Sequence, residues 1–284
     1  MDLAFYDRTT RGRLIVTGRD RKDLLHRLCT NAVAGLEKGR GVPVCFTTNK
    51  GRLIDWTVVL DRGEDLLLLS GNPERVAGHI QQYTISEDVT VRNYMAIEIV
   101  VCGPGAKGFL GVELEPWCLG GRGLAGVQVE IVRVEPLLGD AYVVLAPDAV
   151  ALRRLLAERG EALDVSGVDD LRVRAGIPAV PQEINDDHNP WEAGLGGSIS
   201  LQKGCYVGQE IIARLNTYEK VQRRLVGLRL DAPAAPGAPL TRAGEEVGRV
   251  TTPSGLRALA YVKSAFAEAG TRLDQGSVHA FPMG

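Results

Sequence analysis

The chain has 284 residues, 45% of them apolar and 24% charged, which is the composition of a globular protein with a substantial core. Its formal net charge of −2 argues against a broad nucleic-acid-binding surface, because such a surface needs an excess of basic residues. No apolar run reaches the length of a membrane span, and Met1–Arg13 lacks the apolar core of a signal peptide. We therefore expect a cytoplasmic protein without a membrane partner.

In the first third of the chain, strand patterns alternate with two helical patterns. Strands are predicted at Arg11–Gly18, Val42–Thr48, Leu53–Leu60, Leu66–Ser70 and from Val89. Asp20 is the expected N-cap of the first helix, and Gly35 is its expected end. Asn72 and Pro73 begin the second helix, and Asn49–Arg52 forms a hairpin turn.

The middle of the chain repeats this mixture. A strand begins near Met95, a glycine-rich region covers Gly103–Gly126, and an amphipathic helix ends at Gly160. Ser166 and Asp169 have the spacing of a capping box. Two successive blocks of mixed strands and helices favour an α+β fold over an alternating parallel sheet.

After Val221 the pattern changes to short strands separated by proline and glycine, which indicates a small β-barrel or sandwich. We place a domain boundary near Tyr218–Gln222. The predicted domains are a core at residues 1–220, with a middle lobe at about 95–165, and a C-terminal β domain at residues 221–284.

The five cysteines and four histidines are widely scattered, and no C-x-x-C pair occurs. The sequence therefore predicts neither a disulfide framework nor a metal site. Four cysteines lie in apolar or undistinguished contexts and are interpreted as buried core residues: Cys29, Cys45, Cys102 and Cys118.

Cys205 lies in a different context, the segment KGCYVGQE at Lys203–Glu210. Gly204 permits unusual backbone angles, QEIIARL predicts a helix that starts just after the cysteine, and Lys203 adds a positive charge. These conditions favour a reactive thiolate, so we predict that Cys205 is functional. No histidine is near in sequence, so a Cys–His nucleophilic pair has no support here.

The same segment resembles the signature of the YgfZ family, folate-binding proteins linked to iron–sulfur cluster maintenance and related to the aminomethyltransferase (T-protein) of the glycine cleavage system. Other stretches are similar to that family as well: VTGRDRKDLLHRLCTNAV, TTNKGRLIDW, NPWEAGLGGSISLQ and GEEVGRVTTPSG. The resemblance covers most of the chain, and residues 104–164 are the least distinctive part.

The resemblance implies a three-lobed, cloverleaf-like fold, with two mixed α+β lobes and a C-terminal small β-barrel around a central hole that holds tetrahydrofolate. It also implies a monomeric accessory protein that supports iron–sulfur cluster assembly or repair in client enzymes, including radical enzymes that modify tRNA. Folate and iron–sulfur client or assembly proteins are then the expected partners, and direct contact with nucleic acid is not expected. Whether Cys205 serves thiol, cluster or client chemistry stays open.

Two acidic residues gain a candidate role from the resemblance. Glu192 alone would be an acid on a solvated loop. The matching T-protein glutamate, however, contacts the pterin, and a carboxylate can accept two hydrogen bonds from the N–H groups of that ring. Asp55 alone would be an exposed acid on a strand, and it is a candidate catalytic residue because the T-protein has two consecutive acids there. In this chain the second acid is replaced by Trp56, which argues against aminomethyl transfer.

Five further candidates are assigned to cofactor binding, and for two of them a purely structural role is the alternative. Arg214 could hold the folate carboxylate tail or pair with Glu210 in the same helix. Tyr206, Gln209 and Lys203 are included as members of the signature. Tyr83 could line the central hole or pack at a helix end. Lys50 and Arg52 are interpreted as solvated charges, and DHN at Asp187–Asn189 as a turn.

Two other functions are alternatives to the accessory role. One is a true folate-dependent aminomethyltransferase of the T-protein type, which a glycine cleavage assay would identify. The other is a cysteine hydrolase or acyltransferase, for which the thiol is the single supporting feature.

Overall fold

The computed structural model describes residues 1–148, 150–217 and 221–282. Its strands, in chain order, are β1 (Ala4–Asp7), β2 (Arg13–Thr17), β3 (Gly41–Thr47), β4 (Leu53–Asp61), β5 (Leu66–Leu69), β6 (Thr90–Asn93), β7 (Ile97–Cys102), β8 (Leu119–Leu124), β9 (Val127–Val134), β10 (Ala141–Ala146), β11 (Glu161–Ala162), β12 (Arg223–Leu230), β13 (Pro239–Arg242), β14 (Glu245–Ser254), β15 (Arg257–Lys263), β16 (Arg272–Leu273) and β17 (Gly276–His279). Its α-helices are α1 (Arg21–Leu28), α2 (Pro73–Tyr83), α3 (Ala106–Leu110), α4 (Val150–Arg159), α5 (Val165–Ala175) and α6 (Gln209–Thr217).

The first lobe is an antiparallel sheet with the strand order β3–β4–β5–β2–β6. Its outer face packs against α1 and α2, where Leu24 and Val76 are fully buried. Alternate residues of β2 point to opposite faces, so Leu14 and Val16 contact this helical layer while Ile15 points to the second lobe. Both faces of the sheet are therefore buried.

The second lobe is a sheet with the order β11–β1–β7–β10–β9–β8, in which only the β1–β11 pair is parallel among the described strands. Its first strand, β1, comes from the start of the chain and precedes the first lobe in sequence. Helices α3 and α4 cover its outer face. Its inner face packs on the first sheet, with Val100 and Val143 against Val58 and Leu69.

The C-terminal strands form an antiparallel sheet with the order β13–β14–β15–β12–β17–β16. Its two edges approach each other, because the N–H of Asp274 donates to the carbonyl of Thr241 at 2.8 Å. The result is a nearly closed barrel with its own apolar interior. This arrangement confirms the predicted α+β fold with a C-terminal barrel.

The predicted domain boundaries stay predictions. The boundary near Tyr218–Gln222 falls largely on residues 218–220, which lie outside the described residues. None of the helices in the described ranges is long and apolar enough to cross a membrane; the longest have 11 residues.

Three helix ends differ from the predictions. Asp20 precedes α1, but its carboxylate accepts the N–H of Asp88 at 2.9 Å instead of capping the helix. Helix α1 ends at Leu28, well before Gly35, because Cys29 is already extended and bridges to β3. Helix α5 is capped by the Asp164 carboxylate, which accepts the N–H of Gly167 at 2.8 Å, so the predicted capping box at Ser166 is wrong.

Candidate functional site

The segment Lys203–Gly208 wraps around the edge of the first lobe, and α6 follows it. The N–H of Val207 donates to the carbonyl of Arg27 at 3.1 Å, and the hydroxyl of Thr47 donates to the carbonyl of Val207 at 2.8 Å. These two bonds join the segment to the last turn of α1 and to the end of β3. The sequence motif is therefore held by contacts to residues about 160 positions or more away.

Lys203 reaches the end of α1 with its ammonium group. It donates to the carbonyls of His26, Cys29 and Asn31, at 2.7 Å for Cys29 and 2.9 Å for Asn31. An ammonium group has three N–H donors, so all of them are used. A cation at this position also complements the negative end of the helix dipole. Burial lowers the pKa of Lys203. The three carbonyl acceptors nevertheless suit the charged form of this side chain, because each accepts one of its N–H groups. Cofactor binding by Lys203 stays a prediction. The three hydrogen bonds of its ammonium group hold the segment Lys203–Gly208 against the end of α1.

Within the signature segment, Gly208 is the position at which the backbone conformation and the close neighbours require a glycine. Its φ is +83°, and a Cβ atom there would lie 2.6 Å from the carbonyl oxygen of Thr48 and 2.8 Å from the hydroxyl of Thr47. Gly204 has no positive φ and nothing within 4 Å of a Cβ position. The expectation that Gly204 provides an unusual backbone or a close approach is wrong, and Gly208 has that role.

Cys205 is the exposed cysteine of the five, and the other four are buried as predicted. Burial raises the pKa of Cys29 and of Cys102 to about 11. Helix α6 begins at Gln209, so Cys205 lies four residues before its first helical residue and outside its first turn. The predicted helix is confirmed, whereas the predicted contribution of its N-terminus to the thiol is not supported by this spacing. The functional role of Cys205 stays a prediction.

The other signature residues have different environments. Tyr206 is buried with Ile199 and Ile212, and burial raises its pKa to about 12. Gln209 starts α6 and is partly exposed, whereas Arg214 is exposed on the same helix. Among the described residues, no ion pair joins Arg214 to Glu210. The assignments of Tyr206, Gln209 and Arg214 to cofactor binding stay predictions.

A central cavity lies between the first two sheets and the segment that follows α5. It encloses about 860 Å³ between protein atoms, its open mouth included. Residues from both lobes and from this segment line it, among them Tyr6, Val58, Val100, Trp117, Arg172 and Val180. Trp56 from β4 and Trp117 meet edge to face inside it, with ring centroids 6.3 Å apart. Its mixture of aromatic and charged groups is that of a small-molecule site.

Asp55 lies behind the wall of this cavity and is fully buried, so the reading of Asp55 as an exposed acid is wrong. Its Oδ2 accepts hydrogen bonds from Thr57 at 2.7 Å, from Ser70 at 2.6 Å and from the N–H of Gly71 at 3.1 Å. Its Oδ1 has no hydrogen-bond partner in the part of the chain that the structure describes. Burial raises the pKa of Asp55, with these hydrogen bonds acting in the opposite direction.

Gly71 separates this carboxylate from the cavity. A Cβ atom at Gly71 would lie 3.1 Å from Asp55 Oδ1 and 2.8 Å from a methyl group of Val180. Gly71 and Val180 both line the cavity. The unpartnered oxygen of Asp55 is therefore one residue layer away from the open space.

Glu192 is buried, so the reading of it as a solvated loop acid is wrong. Its Oε2 accepts the N–H of Asn189 at 3.0 Å and lies 3.6 Å from the guanidinium of Arg52. Arg52 also donates to the carbonyl of Asp187 at 2.8 Å, so it is not the free solvated charge that the sequence suggested. Burial raises the pKa of Glu192, while the Asn189 N–H and Arg52 oppose that rise.

Glu192 is not among the residues that line the central cavity. It lies beside His188, which lines a second cleft between residues 182–188 and the barrel. The ring of His188 stacks on that of Tyr261 with centroids 3.5 Å apart, and burial lowers the pKa of His188 to about 4. Segment 177–188 thus separates the two open spaces.

Two other sequence candidates do not line the central cavity. Tyr83 packs at the end of α2 beside His79, with ring centroids 5.1 Å apart, and is not a lining residue of the cavity. This placement matches the structural alternative for Tyr83. Asp187 and His188 belong to a turn, and no group of three potential metal ligands occurs in the described ranges.

Sequence reasoning missed the cationic groups of the central cavity, which are Arg8, Arg11 and Arg172. They come from the loop between β1 and β2 and from α5, and no motif marks them. Trp117 was missed for the same reason, since it lies in the glycine-rich region. The packing of the first two sheets, together with α5, brings these side chains together.

Comparison with known proteins defines the class to which this fold corresponds. The family model of the GCVT N-terminal domain matches residues 2–114, and that of the CAF17 C-terminal β-barrel domain matches residues 222–282. The chain is thus similar to a GCVT N-terminal domain in its first part and to a CAF17-type barrel at its C-terminal end.

Individual relatives are similar to most of the chain. The chain is 29% identical over 292 residues to an Arabidopsis thaliana protein named "Putative transferase At1g60990, chloroplastic", covering 93% of this chain and 66% of that protein. It is 29% identical over 305 residues to an aminomethyltransferase of Symbiobacterium thermophilum, covering 95% of this chain and 80% of the relative. The chain therefore spans slightly less than two thirds of the Arabidopsis relative.

A solved structure matches nearly the whole fold. The glycine cleavage system aminomethyltransferase T of Bartonella henselae superimposes with a TM-score of 0.88 at 20% sequence identity, covering 99% of this chain and 86% of that structure. The three-lobed fold is therefore that of an aminomethyltransferase.

Proposed function

We propose that this protein binds tetrahydrofolate and supports iron–sulfur cluster assembly or repair in client enzymes, including radical enzymes that modify tRNA, with Cys205 as its functional thiol. The central cavity carries the first part of this proposal. It joins two tryptophans, which suit a planar ring, to arginines, which suit a carboxylate. Tetrahydrofolate has both features, a pterin ring and a glutamate tail.

Two buried carboxylates would assist this binding. Asp55 has an oxygen without a partner next to the cavity wall, and a small movement at Gly71 would expose it to a ligand N–H. Glu192 is held in place by Asn189 and Arg52 on the other side of segment 177–188. A ligand that reached both carboxylates would have to extend past this segment.

The accessory role, as opposed to group transfer, is supported by Trp56. Its indole ring lines the cavity where the resemblance places a second acid, and its N–H donates to Ser198 at 2.9 Å. The position is therefore filled by a group that cannot exchange a proton with a substrate at neutral pH. Cys205 supports the same role because it is exposed while every other cysteine is buried.

The first experiment is a calorimetric titration of the reduced protein with tetrahydrofolate under anaerobic conditions. We expect saturable one-to-one binding by the wild type. Glu192→Ala should weaken it by about tenfold or more, as expected for loss of a charge-assisted hydrogen bond, provided that the ligand extends past segment 177–188 to this carboxylate. Cys205→Ala should bind as the wild type does. No binding by folded wild-type protein would refute the folate part of the proposal.

The second part needs a cellular readout. In cells from which the gene has been deleted, the content of tRNA nucleosides made by radical iron–sulfur enzymes should fall. Wild-type protein should restore it, and Cys205→Ala, although folded and able to bind folate, should not. Full restoration by Cys205→Ala would remove the thiol from the proposal.

A folate-dependent aminomethyltransferase is the second candidate, favoured by the names of the relatives and by the matching fold. Buried Asp55 would then be the candidate catalytic acid. An assay of glycine cleavage with the partner proteins separates the two functions, because an accessory protein should give no turnover above background.

A further inference from the structure

Arg11 lines the central cavity and, among the residues that the structure describes, has no carboxylate partner. It lies in the loop between β1 and β2, is half-buried, and lines the cavity with Arg8 and Arg172. Within the described parts of the chain, its guanidinium makes no hydrogen bond or ion pair. The two neighbouring arginines are paired, so the three cations are not equivalent.

The carboxylates around Arg11 are already used. Glu98 gives one oxygen to Arg8 and the other to Arg13, the latter at 3.0 Å. On the other side of the cavity, Glu183 pairs with Arg172 at 2.8 Å and accepts the hydroxyl of Thr252 with its second oxygen.

Glu135 is the carboxylate that lines the cavity itself, and it is exposed. No ion pair to Arg11 is among its contacts in the described ranges. Removing Arg11 would therefore leave no described carboxylate unpaired.

This arrangement costs stability in the absence of a ligand. Burial lowers the pKa of Arg11, and the positive charge of Arg8 adds to that effect. Tyr6 and Glu98 act in the opposite direction. A cation that is partly removed from water, next to other arginines and without an ion pair of its own among the described residues, is unfavourable unless an anion joins it. The same arrangement gives the cavity an affinity for an anion.

We propose that Arg11 is the anion-binding residue of the central cavity, where its guanidinium pairs with the carboxylate of a ligand whose planar ring contacts Trp56 and Trp117. A planar guanidinium fits a carboxylate with two parallel hydrogen bonds. If the ligand is tetrahydrofolate, as the proposed function has it, the carboxylate is that of the glutamate tail. The inference deepens that function by naming the residue that selects ligands with this tail.

Calorimetry on the full chain tests this assignment with matched ligands and variants. The ligands are tetrahydrofolate, 6-methyltetrahydropterin, which lacks the tail, and p-aminobenzoylglutamate, which lacks the pterin. The variants are Arg11→Met, Arg11→Gln and, as the control for loss of one positive charge, Arg154→Met, because the Arg154 side chain is 85% exposed.

We expect Arg11→Met and Arg11→Gln to weaken tetrahydrofolate binding about 10- to 100-fold, the range for loss of a charge-assisted hydrogen bond. Binding of 6-methyltetrahydropterin should be the same in all four proteins. Arg154→Met should bind tetrahydrofolate as the wild type does. Unchanged tetrahydrofolate binding by both Arg11 variants would overturn the inference and leave the proposed function intact.

Thermal unfolding of the ligand-free proteins gives an independent readout. Because the substitution removes an unpaired cation, Arg11→Met should have a Tm equal to or above that of the wild type. A purely structural role predicts a lower Tm for both Arg11 variants, which would count against the inference.

If the wild type binds no tetrahydrofolate, the proposed function fails, and the Arg11 assignment is judged with p-aminobenzoylglutamate alone. A rise in Tm with this anion in the wild type, absent in Arg11→Gln, would support the assignment. No rise in the wild type would overturn it.

Discussion

Replacement of Gly208 by alanine tests the docking of the signature segment onto the first lobe. At φ +83°, an L-residue is in the left-handed region, which costs about 1–2 kcal/mol. The new Cβ atom would also meet the carbonyl oxygen of Thr48 at 2.6 Å and the hydroxyl of Thr47 at 2.8 Å. Because the first contact is with backbone, it cannot be relieved by a side-chain rotation, and overpacking of this kind costs about 1–3 kcal/mol. We expect a total loss of about 2–5 kcal/mol in the free energy of unfolding.

Urea unfolding, followed by tryptophan fluorescence, measures this loss. Gly204→Ala is the matched control, four residues earlier in the same signature, because it has ordinary backbone angles and open space around its Cβ position. The control should stay within about 0.5 kcal/mol of the wild type or be slightly more stable. Equal stability of the two variants would show that the segment is not held against Thr48 as described.

Three further predictions concern single side chains. Lys203→Met should lose about 1.5–3 kcal/mol of stability, since it removes the cation that joins the carbonyls of His26, Cys29 and Asn31; thermal unfolding measures this, and an unchanged Tm would contradict the capping role. A thiol reagent should modify one cysteine quickly in the native protein and the rest only on unfolding, and Cys205→Ser should abolish the fast phase; a fast phase that persists would mean that another cysteine is accessible. Burial lowers the pKa of His79 to about 4, so between about pH 6.5 and pH 4 the unfolded chain binds a proton that the folded chain does not. The free energy of unfolding should therefore fall as the pH falls through this window, by up to about 3 kcal/mol, and His79→Phe should reduce the slope; equal slopes would contradict the assigned pKa.

The signature segment and the central cavity are separate features of the molecule. Of the described lining residues of the cavity, none belongs to Lys203–Glu210. The contacts of Lys203 and Gly208 fix the loop that carries Cys205 against α1 and the β3–β4 turn. Ligand binding and thiol chemistry can therefore be removed one at a time by substitution, which is the basis of the experiments above.

The strands and helices were largely predictable because their signals are local. Short apolar runs marked β2 and β4, and Asn72 followed by Pro73 marked the start of α2. The ends of α1 and α5 were not predictable to the residue. At Asp20, a distant N–H of Asp88 competes for the carboxylate, and at Ser166 the neighbouring Asp164 caps the helix instead.

The sequence by itself determined the α+β class, the change to a barrel after Val221, and the burial of four cysteines beside the exposed Cys205. Only the tertiary structure decided that Asp55 and Glu192 are buried and that Gly208, not Gly204, is the required glycine. It also decided that Arg11 faces a cavity and has no carboxylate partner in the described ranges. These facts depend on contacts between residues far apart in the chain, since the pairing of two sheets and the return of one loop set burial and charge neighbours. Local sequence patterns do not specify such contacts, because the type of a residue and its spacing do not determine which distant residue will pack next to it.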